Sequence, residues 1–353
     1  MPKKKSSFNV AVFGAGAIGL DHIGSFKQHP AARVLAVADT SASRASEAAK
    51  MFDVPVVATD YRDVLARDDI DVVSIALPNY LHASVAMNAL KAGKHVMIDK
   101  PMATNAREAA QLVHEAKKRR VLLMVGQNNR FSPDVQTLKQ LVLQGVLGDV
   151  YHAKTAWTRR SGIPRIGSWF TQKQFAGGGS TYDIGAHALD RCLYLMGEFD
   201  AVAVSGQTYA KFGPRGLGEG TWGRSEVDPK KPFDVEDMSV ALIKLKSGRT
   251  VLLEPSWAGH QPFADYNGTQ LYGTEAGALM PNLQLFRKTE HGYSTESVST
   301  TTSLVNPNRM AHFIDCLLGK AKPYVKPAES LAVQKILDAI YESSRTGREV
   351  RIK

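Results

Sequence analysis

The sequence is poor in cysteine, with only Cys192 and Cys316 in 353 residues. Two thiols far apart, each inside an apolar helical pattern, form neither a disulfide framework nor the paired spacing of a metal site; they fit two buried, reduced side chains. No apolar run approaches the length needed to cross a bilayer. The start, MPKKKSSF, is basic but runs into a glycine-broken strand and not into the unbroken apolar core of a secretory leader, so a soluble, cytoplasmic protein is expected. Internal repeats and low-complexity tracts are absent, which excludes a repeat array. Acidic residues are in the minority, 34 against 44 basic ones, for a formal net charge of +10. The basic residues are scattered, with local clusters only at Lys3 to Lys5 and Lys117 to Arg120, the second suited to the C-terminal end of a helix. That pattern points to a small anionic ligand and not to nucleic acid.

What the chain does have, at its start, is the stretch NVAVFGAGAIGLD from Asn9 to Asp21. An apolar strand (Val10, Val12, Phe13) breaks into Gly14, Gly16 and Gly19 and then into a helix. Gly14 permits the sharp turn, Gly16 the close approach of a ligand, and Gly19 the packing of the helix, whose positive end, with Ala17 and Ile18, receives a pyrophosphate. Twenty positions after Gly19, at the end of the run VLAVAD, stands Asp39. Its carboxylate suits the two ribose hydroxyls of NAD and opposes the 2′-phosphate of NADP, although Arg44 in the next helix offers a phosphate a cation. NAD is therefore the expected cofactor, and NADP the weaker alternative.

With 44% apolar residues in 353, the chain is long enough for two domains with separate cores. Residues 1–127 alternate apolar runs with amphipathic helices, the order of a doubly wound parallel sheet. In such sheets ligands bind beyond the C-terminal strand ends. There stand Leu77, Pro78, Asn79 and His82 after one strand, Asp99 and Lys100 before Pro101 after the next, and Gln127 after the last. His82 reads equally as a surface helix residue or a cofactor contact. Lys100, delivered to the ligand crevice by a buried strand, is the candidate for proton transfer or charge stabilisation. Asn105 with Glu108 forms a capping box for the following helix.

Residues 128–353 are expected to form an α+β domain with a large, mainly antiparallel open sheet. Its first strand leads into WTRRSGIPRIGSWFT, a long non-periodic loop. Trp157 and Trp169 suit stacking on a sugar or the nicotinamide, and Arg159, Arg160 or Arg165 suit an anionic group; packing and solvation are the competing reading. Next, Gly177 to Gly179 lead into STYDIGAHALDRCLYLMG, read as one helix ending at Gly197. Asp183 and His187, four positions apart, then share a helix face, with Asp190 placed either to orient the imidazole or to form a salt bridge at the surface or with the N-terminal domain. The strands MSVALIKL and VLLEPSW, joined at Ser247-Gly248, are apolar at nearly every position, so both faces of the sheet are expected to be covered, one by helices and the other by a second subunit. The stretch from Lys211 to Asp237 reads as a surface loop, a lid or an oligomer arm.

The motifs GAGAIG, ALPNYLHASVAMNALKAGKHVMIDKP and GGGSTYDIGAHALD together resemble the Gfo/Idh/MocA family, which includes glucose-fructose oxidoreductase and inositol dehydrogenase, over essentially the whole chain. The resemblance implies Lys100, Asp183 and His187 as catalytic positions, with Asp99 standing where the family usually has glutamate. It also implies a sheet-to-sheet homodimer or tetramer. The implied activity is NAD-dependent oxidation of a secondary hydroxyl of a sugar, glycoside or cyclitol, or reduction of the ketone. Glycoside cleavage through a keto intermediate and non-catalytic sugar sensing are the family's alternatives.

Overall fold

The structure, a computed structural model, describes residues 5–222, 225–300 and 308–352. Lys3, Lys4 and residues 223–224 of the 211–237 stretch lie outside them.

The chain divides into two compact units, the first boundary falling after Gln127. In the first unit β1 (Phe8–Phe13), α1 (Ala17–Lys27), β2 (Ala32–Ala38), α2 (Ala42–Phe52), β3 (Val56–Ala58), α3 (Tyr61–Leu65), β4 (Val72–Ile75), α4 (Asn79–Lys91), β5 (His95–Ile98), α5 (Ala106–Arg119) and β6 (Leu123–Val125) alternate in chain order. The six strands are all parallel, in the order β3-β2-β1-β4-β5-β6. Helices cover both faces, and so β4 is buried at every position and β1 at all but Asn9. The strand order reverses between β1 and β4, which opens a crevice beyond Phe13 and Ile75. Of the capping box at α5 the first half forms, Asn105 accepting from the Glu108 N–H at 3.0 Å, while the Glu108 carboxylate accepts from the Thr104 hydroxyl at 3.1 Å.

The second unit begins with α6 (Pro133–Leu143), β7 (Val150–Arg159), β8 (Ile163–Pro164), the short α7 (Lys173–Ala176) and α8 (Ala186–Met196). It continues with β9 (Ala201–Tyr209), β10 (Glu219–Gly220), β11 (Met238–Leu245), β12 (Thr250–Ser256), β13 (Asp265–Gly273), β14 (Gly277–Met280), β15 (Gln284–Thr289) and β16 (Gly292–Ser297). Next in the chain come α9 (Arg309–Leu318), which groups with the first unit, α10 (Pro327–Thr346), which passes from the first unit into the second after Leu331, and β17 (Val350–Arg351) of the second. Nine strands form one open sheet, β16-β15-β14-β13-β7-β12-β11-β9-β17, antiparallel except where β7 meets β12. Leu138 of α6, Leu189 and Leu193 of α8, and Ile336 and Ile340 of α10 close over its inner side chains, among them Ala153, Ile243, Leu253 and Leu271.

Four expectations change. Residues 128–353 are not one continuous unit: α9 and the start of α10, up to Leu331, group with the first unit. Asn308 caps α9 while donating to the Ser25 carbonyl, and Arg309 pairs with Asp21, which ties α9 to α1. The run from Thr181 to Met196 is not a single α-helix, because Thr181–Gly185 is a π turn that only then passes into α8. The apolar strands β11 and β12 alternate after all. Their inner residues are buried, while Leu242 and Leu252, paired across the strands, stay 39% and 38% exposed beside Lys244 and Glu254. Lastly, the described part of 211–237 is more than a surface loop. β10 pairs with β8, and Phe212, Phe233 and Val235 pack around Ile163, Ile184 and Trp257.

Of the thiols, Cys192 is buried and Cys316 half-buried; burial pushes both pKa values up to about 12, which leaves them as unreactive thiols. No helix of the described residues is long and apolar enough to cross a membrane.

Asp190 forms a salt bridge, but a buried one within the second unit and not one at the surface or with the N-terminal domain. Both of its oxygens receive the guanidinium of Arg130, at 2.8 and 2.6 Å, with both side chains fully buried and the Tyr194 and Phe199 rings 5.0 Å away. Asp190→Ala would strand a buried cation, so we expect a loss of about 3–5 kcal/mol. Urea unfolding of wild type and variant, followed by tryptophan fluorescence, measures it.

Candidate active site

In the first unit the three glycines differ in what surrounds them. A side-chain carbon on Gly14, whose φ is +98°, would stand 2.2 Å from the Ala76 carbonyl oxygen across the switch point. One on Gly19 would stand 1.8 Å from the Gly14 carbonyl oxygen, so Gly19 lets the helix close onto the turn itself and not onto the sheet. Gly16 faces open space, with nothing within 4 Å of where its side chain would begin. It is the N-cap of α1, no side chain caps it, and no acidic residue sits in the first turn. An uncapped, positive helix start with free space over it fits the pyrophosphate of a dinucleotide.

Asp39 braces this turn. One carboxylate oxygen accepts from the Ala15 N–H at 2.8 Å; the other accepts from the Ser41 N–H at 2.8 Å and from Arg44 at 3.1 and 3.3 Å. Arg44, its side chain 41% exposed, is thus not independent of Asp39: the carboxylate holds it at the end of β2.

Pro78 is the N-cap of α4, Asn79 is buried in its first turn, and Leu77 is half-buried just ahead. His82 is not a surface residue. Fully buried, it places Nδ1 2.7 Å from the Pro101 carbonyl and Nε2 2.7 Å from the Leu77 carbonyl, bracing the loops after β4 and β5 together. Burial pushes its pKa down, while the two carbonyls and Asp99 oppose that shift. Asp99 and Lys100 are both half-buried, with the Asp99 carboxylate lying against Gly126; Gln127 is buried.

In the second unit, Asp183 and His187 are the two residues between Thr181 and Asp190 that are not buried. On an α-helix they would be about 40° apart in projection. Asp183 instead stands on the π turn, a local widening common at functional sites. Its Oδ2 accepts from the indole N–H of the fully buried Trp257 at 2.9 Å. The Trp157 ring lies 5.7 Å from the His187 ring. Trp157 in turn donates to Asp265 at 3.0 Å and carries the Arg159 guanidinium 4.8 Å above its face, with Arg159 also bound to Asp265.

Trp157, Arg159 and His187 therefore belong to one cluster. Trp169 does not join it through a ring contact: it stacks on Phe170, which meets Trp222 edge-on. Arg165 is half-buried with a left-handed φ of +50°, and Arg160 binds the Gln261 and Pro262 carbonyls. The triple glycine has a packing reason, since side chains on Gly178 and Gly179 would strike Tyr341 and Glu236. Trp257, Asp265 and Glu236 escape sequence reading. Each acts on a partner distant in sequence, and only the tryptophan at the end of VLLEPSW offers a signal.

Residues 8–127 match the family described as oxidoreductase family, NAD-binding Rossmann fold, and residues 135–279 match the GFO/IDH/MocA C-terminal domain. The D-glucoside 3-dehydrogenase of Escherichia coli is 31% identical over 98% of this chain and 98% of its own. The chain belongs to the Gfo/Idh/MocA family of oxidoreductases. Another member, the levoglucosan dehydrogenase of Pseudarthrobacter phenanthrenivorans, is 31% identical over 79% of this chain and 74% of its own. A solved levoglucosan dehydrogenase in complex with NADH and levoglucosan has the same fold, with a TM-score of 0.85, 23% identity and coverage of 98% and 99% of the two chains. The chain is thus an oxidoreductase with the family's NAD-binding Rossmann domain.

Asp39→Ser should release Arg44 to meet a 2′-phosphate and remove the opposing charge, shifting the ratio of kcat/KM for NAD over NADP by on the order of tenfold or more toward NADP. Steady-state kinetics with both cofactors checks this; an unchanged ratio would show that the carboxylate does not set the preference.

Proposed function

We propose that this family member oxidises a secondary hydroxyl of a sugar, glycoside or cyclitol, or reduces the matching ketone. The observation that carries the reading is the pair Asp183 and His187, presented from an otherwise buried stretch, with the ring of Trp157 beside the imidazole. The similarity along the full length to a D-glucoside 3-dehydrogenase supports a carbohydrate substrate.

Bound NAD supplies the acceptor for the hydride that leaves the substrate carbon. The residues that would hold it are Gly14, Gly16, Ala17, Ile18 and Gly19 at the start of α1, Asp39 with Arg44 at the ribose, and the loops carrying Leu77 to Asn79, Asp99, Lys100 and Gln127. The hydroxyl must lose its proton as the carbonyl forms, which calls for a base and a cation. His187 is assigned as the base, or as the acid in reduction. Lys100 stabilises the alkoxide and is the alternative proton carrier. Asp183, its carboxylate oriented by the Trp257 indole, holds a neighbouring hydroxyl. Trp157 offers an apolar face to the sugar ring, with Arg159 at its edge.

A second reading has a specific motive. A glycosyl hydrolase family 109 protein of Shewanella pealeana is 25% identical over 75% of this chain and 61% of its own. Oxidation next to a glycosidic bond, followed by elimination, would use the same groups. Supplying NAD with free sugars, cyclitols and aryl glycosides, and recording both the reduced-cofactor absorbance and released aglycone, separates the two. Net reduction of NAD without aglycone release is expected.

Lys100→Ala and His187→Asn should each lower kcat by about two orders of magnitude or more, the scale of a positioned proton-transfer or charge-stabilising group. Near-normal turnover of either would remove that residue from the mechanism. The exposed Leu242 and Leu252 pair supports assembly through the outer face of the nine-stranded sheet. Light scattering should therefore give a dimer or tetramer at micromolar concentration, and a Leu242→Glu, Leu252→Glu double variant should give a smaller species.

A further inference from the structure

Three successive backbone N–H groups lead into the π turn that carries Asp183, and all three end on one residue. Gly179 donates to Glu236 Oε2 at 3.0 Å, Thr181 to Glu236 Oε1 at 2.8 Å, and Ser180 to the Glu236 carbonyl at 3.2 Å. Gly179 is what permits this approach, because a side-chain carbon there would stand 1.9 Å from the Glu236 carbonyl oxygen. The first N–H groups of a helix lack partners within it and are commonly capped by the N-cap side chain. Ser180, at the N-cap of this turn, makes no such bond. A carboxylate from a distant segment does the capping, and its charge suits the positive end of the turn.

The next residue continues the tie. The Asp237 carbonyl accepts the Trp257 N–H at 2.8 Å, and the Trp257 indole donates to Asp183 at 2.9 Å. The dipeptide Glu236-Asp237 thus reaches Asp183 from two directions, through the backbone of the turn and through the indole that orients its carboxylate.

We propose that Glu236 is a positioning residue for the reaction, fixing the π turn so that Asp183 and His187 are presented in working geometry. It touches neither substrate nor cofactor. Both of its oxygens must accept, so it acts as the carboxylate, and an amide cannot replace it: glutamine would set its NH2 against one of the two backbone donors. Burial opposes that charged form, and the backbone N–H groups of Thr181 and Gly179 sustain it. The effect on turnover rests on the dehydrogenase reading; the effect on geometry does not.

Two readouts on Glu236→Gln, in the full chain, decide the matter. The first is the indole N–H resonance of Trp257, assigned among the four tryptophans by Trp→Phe variants. In wild type it should be protected from exchange, and in Glu236→Gln it should shift and exchange at least tenfold faster. The second is kinetic, with the substrate found in the glycoside panel: kcat should fall tenfold or more while the NAD dissociation constant stays within twofold, since the nucleotide is bound by the other unit. A purely stabilising role would lower the melting temperature and leave the kcat of folded enzyme unchanged, which overturns the proposal, as does an unmoved Trp257 resonance. If wild type turns over nothing in the panel, the dehydrogenase reading fails while the Trp257 resonance still judges Glu236. Should Glu236→Gln not fold, Glu236→Asp replaces it. Its carboxylate is one methylene too short to span both amides, so the same loss of Trp257 protection is expected, and a wild-type signal overturns the proposal.

Discussion

Backbone N–H groups at the start of a helix must find acceptors, and the two units meet that demand in opposite ways. At α1 the N-cap is Gly16, which has no side chain to offer and leaves open space above it. Donors left open in this way suit a ligand's phosphates. At the π turn before α8 the same kind of donors are consumed by the buried carboxylate of Glu236. One helix start is therefore left open and the other is a fixture. The glycines around them follow from this: Gly16 leaves space open above the helix start, whereas Gly179 admits a carbonyl of the chain itself.

What was legible in the sequence is what acts locally. The strand, the glycine turn, the α1 start and Asp39 lie within thirty-odd residues, and their spacing is set by one βαβ crossover, so pattern alone places them. The parallel sheet, the N-cap at Asn105 and the placing of Asp183 and His187 on one short stretch follow similarly. Asp190 had two readings because nothing near it in sequence says which partner it takes; its actual partner, Arg130, is sixty residues away. The π turn was invisible for a related reason. Its composition differs little from that of an α-helix, and the distortion is held in place by Glu236 and Trp257 from much later in the chain.

The sheet shows a different limit. MSVALIKL reads as apolar throughout, because period-two alternation is masked when outward positions are also filled by valine and leucine. In the structure the inner residues Ala241, Ile243 and Leu245 are buried, while Leu242 and Lys244 face outward. Apolar content therefore overstated how much of the outer face avoids water. The face is mixed, with leucines beside charged residues, which is the composition of a surface that can be covered without being part of the core.

His82 shows how the crevice of the first unit is kept in shape without a side chain touching the ligand. The Leu77 carbonyl precedes Pro78 and Asn79, and the Pro101 carbonyl follows Asp99 and Lys100; one buried imidazole meets both. Carbonyl oxygens can only accept, so the ring satisfies both only when each nitrogen bears a proton, and burial works against that charged form. The loop carrying Lys100 is therefore held by a balance between desolvation and two hydrogen bonds. Its position is coupled to that of the neighbouring loop, and a change at His82 reaches Lys100 through the backbone on either side of it.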